Sequence, residues 1–325
     1  MFQYPSMKDK KRYFTAGIDE AGYSPRLGPL VISAMVFEIP APGLCLWQAL
    51  EPIVARARRR NDTAIAVNDS KKVFRRAAGL ATLERSVLAF LPGYSRQKKF
   101  YELLGEIAQD WRPDGEFYDV TDVTLPFDCD AAEIAALRKV LAEQMRVARV
   151  ALSAVSTLPI HPCRMRRLLD NTANKAVMLF EEVAGLLRVM IERYGQHELE
   201  IVADKQGGRH YYGDLLALAF PMARIVVLQE SPACSTYEIE TQQGRARLSF
   251  KEKGDSAHLP TALASMLSKY VREIFMESFN RYWERLVPGI KPTAGYPRDA
   301  ARFLDEIDPH LKNSNFDLGT LVRYK

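Results

Sequence analysis

Residues 13–22 read Tyr-Phe-Thr-Ala-Gly-Ile-Asp-Glu-Ala-Gly, and residues 30–38 read Leu-Val-Ile-Ser-Ala-Met-Val-Phe-Glu. Both stretches are rich in β-branched and aromatic residues, and a Gly/Pro turn joins them. Strands are therefore expected over 13–20 and 30–38. Asp19 and Glu20 then close the first strand. Neighbouring strand residues point to opposite faces, so the two carboxylates share a site only if the strand ends or twists there. Ala21-Gly22 directly afterwards allows that.

Outward from this pair, Asn-Asp-Ser-Lys-Lys at 68–72 leads into a helical stretch near 73–91, ended by Pro92-Gly93. Residues 111–130 are turn-rich and lack a period. From 131 to 156 the pattern is helical, with Ile134, Leu137, Leu141 and Met145 on one face. Another long helix is expected from about 166 to 194. The short apolar run Leu-Glu-Ile-Val-Ala-Asp at 199–204 reads as a buried strand ending at Asp204, and Ile-Val-Val-Leu-Gln at 225–229 as a second of that kind. A hairpin is expected within 236–252. A strong helical pattern fills 260–287, with Leu263, Met266, Leu267, Tyr270, Val271, Ile274 and Phe275 on one side. A last helix starts at Pro297, since proline suits a first helical position. Strands first, then helices mixed with further strands, argue for an α/β or α+β domain with a mixed sheet.

The 325 residues are 47% hydrophobic and 26% charged, with a formal net charge of +5. That balance suits a globular enzyme; it permits a nucleic-acid partner without requiring one. The four cysteines are far apart, and with five unpaired histidines a zinc site is not expected. Reduced thiols, no stretch of ~20 apolar residues and no apolar leader after Lys8–Arg12 point to a cytoplasmic protein without a membrane span.

Four acids stand where a sheet-based site wants them: Asp19 and Glu20 at one strand end, Asp204 at another, and Asp255 just before the 260–287 helix. Carboxylates converging in this way can hold two divalent ions, ready a water for attack on phosphorus and steady the departing oxygen. An all-oxygen site suits Mg²⁺ or Mn²⁺. Taken singly, each acid also fits a plainer role: a solvated strand end, a turn residue, a helix cap.

Four motifs in order break that tie. Ile-Asp-Glu-Ala-Gly at 18–22 followed by Leu-Gly-Pro-Leu-Val-Ile-Ser-Ala-Met-Val-Phe, Val-Asn-Asp-Ser-Lys-Lys-Val at 67–73, the Lys-Gly-Asp stretch and Ala/Ser-rich helix at 253–273, and Ala-Gly-Tyr-Pro-Arg-Asp at 294–299 resemble the ribonuclease HII family. The resemblance covers about two thirds of the chain. It implies an RNase H-like fold with a mixed central sheet flanked by helices, and metal-dependent endonucleolytic hydrolysis of the RNA strand of RNA/DNA hybrids that leaves a 5′-phosphate. It assigns metal-holding roles to Asp19, Glu20, Asp204 and Asp255, phosphate contacts to Ser70, Lys71 and Lys72, and a place against the ribose to Tyr296.

The chain departs from the family at Gly22-Tyr23-Ser24, where the family has Gly-Arg-Gly. Arg26 or Tyr23 is the available substitute, and recognition of a single embedded ribonucleotide does not carry over. Lys205, Arg209 and Tyr211 follow Asp204 and suit backbone contact with stacking. Relative to compact family members, 94–165 and 229–250 look inserted. The first is expected to form a helical subdomain beside the cleft, flanked by the basic runs 56–60, 95–99 and 164–167; Glu230, Glu238 and Glu240 in the second are weak candidates for an added ligand. One domain over 1–325, with a helical region over about 256–325, is the expected organisation, with a monomer favoured. The alternatives are a hybrid-binding protein that does not cut, or a nuclease of the same fold acting on structured RNA or DNA junctions.

Overall fold

The computed structural model describes residues 11–323 apart from 58–63, 75–78, 92–93, 95–96, 114, 173, 207 and 314–315. Its centre is a seven-stranded mixed sheet. The strands are β1 (Tyr13–Ala21), β2 (Leu30–Ile39), β3 (Ala151–Ile160), β4 (Glu198–Asp204), β5 (Arg224–Glu230), β6 (Cys234–Glu240) and β7 (Arg245–Lys251). They lie side by side in the order β3-β2-β1-β4-β7-β6-β5. β1 runs antiparallel to β2 and parallel to β4, and β4 runs parallel to β7. The carboxyl ends of β1, β4 and β7 therefore open on one edge. This is a helix-flanked mixed sheet of the α/β kind that the sequence pattern predicts.

Both faces of the sheet's first half are buried, as the strand sequences require. Phe14, Ala16 and Ile18 of β1, with Leu30, Ile32, Ala34 and Val36 of β2, pack under helix α1 (Lys175–Tyr194). Val31, Met35 and Phe37 face the opposite core, which a 28-residue helix, α2 (Leu259–Leu286), dominates. The first two thirds of that helix are buried nearly all round, small and polar residues such as Thr261, Ser265 and Ser268 included. On its face of β1 stand Thr15, Gly17 and Asp19. A Cβ on Gly17 would lie 2.0 Å from the Thr261 amide nitrogen and 2.2 Å from the Pro260 carbonyl carbon. The helix thus rests on bare strand backbone. Its start is pinned by Thr261, which donates to the Val202 carbonyl at 2.9 Å, and by His258, whose two ring nitrogens each lie 2.9 Å from a threonine hydroxyl, Thr15 and Thr261. Further along, Ser268 donates to the Asp19 carbonyl at 3.0 Å.

Several sequence expectations need correction. The helix expected over 131–156 stops at Ala148, capped by Arg149 in a left-handed conformation (φ 55°), and the chain then runs as β3. No glycine or proline marks this stop, so the helical period seems to continue on paper when it does not in space. The 94–165 stretch consequently supplies a strand of the central sheet, and Phe100, Leu104, Phe117, Tyr118 and Ile134 within it share the core of α2. The 166–194 helix is two, Pro162–Asp170 and α1, with Asn174 capping the second by accepting from the amides of Ala176 and Val177. The 73–91 stretch resolves into Ser70–Val73 and Ala81–Phe90, with 75–78 outside the described residues. β5 is an edge strand, not a buried one: Val227 and Leu228 are about half exposed. The hairpin expected within 236–252 forms, from β6 and β7, and β7 pairs directly with the strand that carries Asp204.

Replacing Gly17 by alanine should destabilise the protein by about 2–3 kcal/mol or more, because the added methyl meets backbone that cannot rotate away. Denaturant unfolding of Gly17→Ala beside wild type measures this; an unchanged midpoint would contradict the packing described.

Candidate active site

The four acids lie by the carboxyl ends of β1 and β4, within electrostatic reach of one another. Parallel pairing of β1 with β4 ends at Ile18↔Ala203, although β1 stays paired to β2 as far as Ala21↔Val31. β1 thus parts from β4 at the point where Asp19 and Glu20 begin, and this opens the slot the two residues need. The Asp19 side chain curls along its own strand and accepts from the Glu20 amide at 2.8 Å. Asp204 accepts from the Gly254 amide at 2.8 Å. The Lys-Gly-Asp motif makes that contact possible: Lys253 takes a left-handed backbone (φ 56°), Gly254 packs beside Ala203 and Asp204, and Asp255 follows in the short helix Gly254–Ala257, nearly buried.

These carboxyls raise one another's proton affinity. Asp19 is driven well above the usual carboxylate range by burial, then by the charges of Glu20 and Asp204, while the Ser265 hydroxyl pulls it back. Glu20 is pushed up to about 7 by burial and by Asp204, against the pull of Lys71. Asp204 is raised chiefly by burial, with the Gly254 amide opposing. Asp255 is pushed up to about 6 by burial, Asp69 and Asp204. Burial and like charge are ordinary causes of such shifts, and their concentration along one sheet edge makes it the candidate site.

Asp69 and Ser265 are two participants that the sequence reading passed over. Asp69 caps the Ser70–Val73 helix by accepting from the Lys71 amide at 2.9 Å, and its charge reaches both Asp204 and Asp255. Ser265 lies 3.1 Å from the buried Ser70 hydroxyl and also touches Asp19. An Asp before Ser-Lys-Lys reads as a cap, and a serine inside a helix as packing, so neither carries a distinctive signal.

The other candidates divide. Lys71 is exposed and close enough to act on Glu20, Asp204 and Asp255; Lys72 is exposed beside it. Tyr23 is half-buried and feels both Glu20 and Arg209. Ser24 is exposed next to it. Arg26 and Tyr296 flank one turn: the Arg26 amide donates to the Gly295 carbonyl at 2.7 Å, and Tyr296 follows that glycine, 48% exposed. Lys205 turns away into the β5–β6 turn, where its ammonium donates to the Ser231 carbonyl at 2.6 Å. Parts of the basic runs are engaged in ion pairs. Arg164 pairs with Glu182 and Asp110, Arg166 with Asp317, and Lys98 with Glu106; residues 58–60, 95 and 96 lie outside the described residues. Glu230, Glu238 and Glu240 are engaged by Tyr237, Arg247 and Arg224.

The donor set is oxygen-only and anionic, which suits a hard divalent cation. Among the described residues, however, no three His, Cys, Asp or Glu side chains are drawn together as a closed ligand set. No described helix is long and apolar enough to cross a membrane.

No protein-family model and no curated protein matches the chain. Solved structures similar to it include RNase HII from Archaeoglobus fulgidus in a complex with PCNA (15% identity, 96% of this chain and 94% of that one, TM-score 0.39). Ribonuclease H2 from Pyrococcus horikoshii OT3 is similar at 14% identity, over 95% and 92% of the two chains, with a TM-score of 0.40. Bst-RNase HIII in complex with Mn²⁺ is similar at 14% identity, over 98% and 70%, with a TM-score of 0.39.

Without added cation, the raised carboxyls make the fold bind more protons than the unfolded chain between about pH 4 and 7, so their contribution to stability falls as pH rises through that window. Asp19→Asn removes one buried charge. In EDTA at pH 8 it should therefore be more stable than wild type by about 1–3 kcal/mol, and the gap should close near pH 4.5. Thermal melts at both pH values test this; a variant less stable at pH 8 would refute it.

Proposed function

We propose that the chain is a divergent nuclease of the ribonuclease HII/HIII type that hydrolyses the RNA strand of RNA/DNA hybrids with Mg²⁺ or Mn²⁺. The observation that carries this reading is the convergence of Asp19, Glu20, Asp204 and Asp255 on one sheet edge, with each carboxyl's proton affinity raised by burial and by a neighbouring acid, and with Lys71 beside them. A pocket that concentrates negative charge gains most by taking up a cation. When bound, Mg²⁺ or Mn²⁺ supplies the positive charge that eases attack by water on phosphorus and departure of the leaving oxygen.

The chain's own residues do the rest. Asp19 and Asp204, on the α2 side of adjacent parallel strands, would hold the cation, with Glu20 and Asp255 closing the set. Lys71, on the exposed turn of its helix, would take a backbone phosphate, and Ser70 would fix the start of that helix through Ser265. Tyr23 and Tyr296 border the loop between β1 and β2 and would offer ring faces to sugars or bases. No protein nucleophile is required.

A second reading has specific support. The family arginine is missing from Gly22-Tyr23-Ser24, and the acids are not drawn into a closed set. A protein that grips hybrids without cutting them shares both features. Gel shift and cleavage on the same labelled hybrid separate the two readings, and duplex RNA, duplex DNA and single-ribonucleotide substrates define the preference.

Asp19→Asn and Asp204→Asn should each lower Mg²⁺-dependent cleavage of a hybrid by roughly a thousandfold or more, since each removes a charge the transition state depends on. Either variant cutting at the wild-type rate would overturn the site. Lys71→Ala should weaken hybrid binding at all sequences and reduce the salt-dependence slope by about one. An unchanged slope, measured by titration at several salt concentrations, would remove Lys71 from the phosphate contacts.

A further inference from the structure

We propose that segment 316–323 is a clamp that sets the shape of loop 22–28 beside the acids, with Arg323 as its positioning residue. The segment is fastened by its own apolar groups: Phe316 packs against Phe117 and Trp283 at ring separations of 5.6 and 5.9 Å, and Leu321 is fully buried. Leu27 and Val322 then form an isolated antiparallel bridge, and the Arg323 amide donates to the Arg26 carbonyl at 2.9 Å. The Arg323 guanidinium, itself buried, donates through Nε to the Gly28 carbonyl at 2.6 Å and through Nη1 to the Gly22 carbonyl. One side chain, about 300 residues away in sequence, thus ties both ends of the loop.

Other cations complete the support. Arg272 of α2 donates to the carbonyls of Leu27 (3.3 Å) and Ala294 (2.9 Å), and Lys175 donates to that of Tyr23. Five carbonyls of the loop are therefore turned toward donors behind it. Two glycines make the fit possible. Gly22 and Gly28 have φ of +87° and +83°, and a Cβ would come within 2.5 Å of Arg272 Nε at the first and 2.2 Å of Met276 Sδ at the second. With its carbonyls held from behind, the loop presents the exposed Ser24 and half-buried Tyr23 toward the acid edge. A guanidinium can serve two carbonyls in one plane; an ammonium cannot reproduce that fork.

The consequence for substrate rests on the reading of this site as a hybrid nuclease, but the clamp itself can be read without substrate. In Arg323→Lys, amide exchange of peptides covering 22–28 should accelerate about tenfold or more, as expected for loss of charge-assisted bonds, while protection of 13–19 stays at the wild-type level. In hybrid cleavage the same variant should raise KM about tenfold with kcat changed less than about twofold, because the acids are untouched. Asp317→Ala, which removes the cap of helix Leu318–Leu321 and the pairing with Arg166, should shift both readouts the same way by less. Unchanged exchange in the loop, or Arg323→Lys matching wild type in KM, overturns the clamp. So does a fall in kcat at constant KM, the pattern of a protein that is merely less folded. If wild type neither binds nor cuts any nucleic acid, the proposed function fails, and the exchange measurement still decides the clamp.

Discussion

Helix α2 lies on β1 at a distance only a glycine permits, and the rest of the molecule is arranged around that contact. With Gly17 bare, the start of the helix sits against the strand two residues before Asp19, where Ser265 and Ser268 can reach that residue's side chain and carbonyl. The same approach brings the Lys253–Asp255 turn over the end of β4, so the Gly254 amide meets Asp204. The distances among the acids are thus set by backbone-to-backbone packing, which relaxes far less than side-chain packing does. A larger residue at position 17 would move the helix, and with it Asp255, Ser265 and Ser268 together.

Charge is distributed in layers around this contact. Acids line the open edge and raise one another's pKa values. Lys71 stands at the mouth, and behind the neighbouring loop lie Arg272, Arg323 and Lys175. Burial lowers Arg323 to about 9, with Arg272 adding to the effect, and Lys175 to about 8. Neither layer neutralises the other by direct pairing: Arg323 and Lys175 donate to carbonyl oxygens, and Arg272 to carbonyl oxygens and to Glu273. The acids are left to be balanced from solution, as expected of groups held ready for a cation and not of a structural ion-pair network.

Much of this was legible in the sequence, and the exceptions have physical causes. β1, β2, β4, the hairpin and α2 were readable because each is an apolar run with a clear period or a clear stop. The acids were readable because three of them end or follow such runs. β3 was hidden because its small, half-exposed residues follow a helix whose stop is a left-handed arginine, a conformation no residue type announces. The exposure of β5 depends on what pairs with its outer edge, which Ile-Val-Val-Leu-Gln does not encode. Asp69, Ser265 and Arg323 act through partners far away in sequence, up to 301 residues for Arg323 and Gly22, or through charge alone, and local pattern carries no record of either.

The loop between β1 and β2 brings these threads together. Its sequence lacks an arginine facing forward at position 23, yet positive charge reaches the same place by other routes. Arg209 acts on Tyr23 from the turn after β4, and Lys175 lies 4.7 Å from the Tyr23 ring centre. A phenol ring between two cations and beside Glu20 is a flat, polarised surface, better shaped for stacking than for reading a hydroxyl by forked hydrogen bonds. Under the proposed function, a supported aromatic in place of a flexible cation would give up part of the geometric selectivity for a ribose and keep the attraction to a nucleic-acid backbone. On that argument the chain should tolerate more varied sugars at this position than an arginine-bearing loop would, with discrimination left to the fit of the duplex along the acid edge.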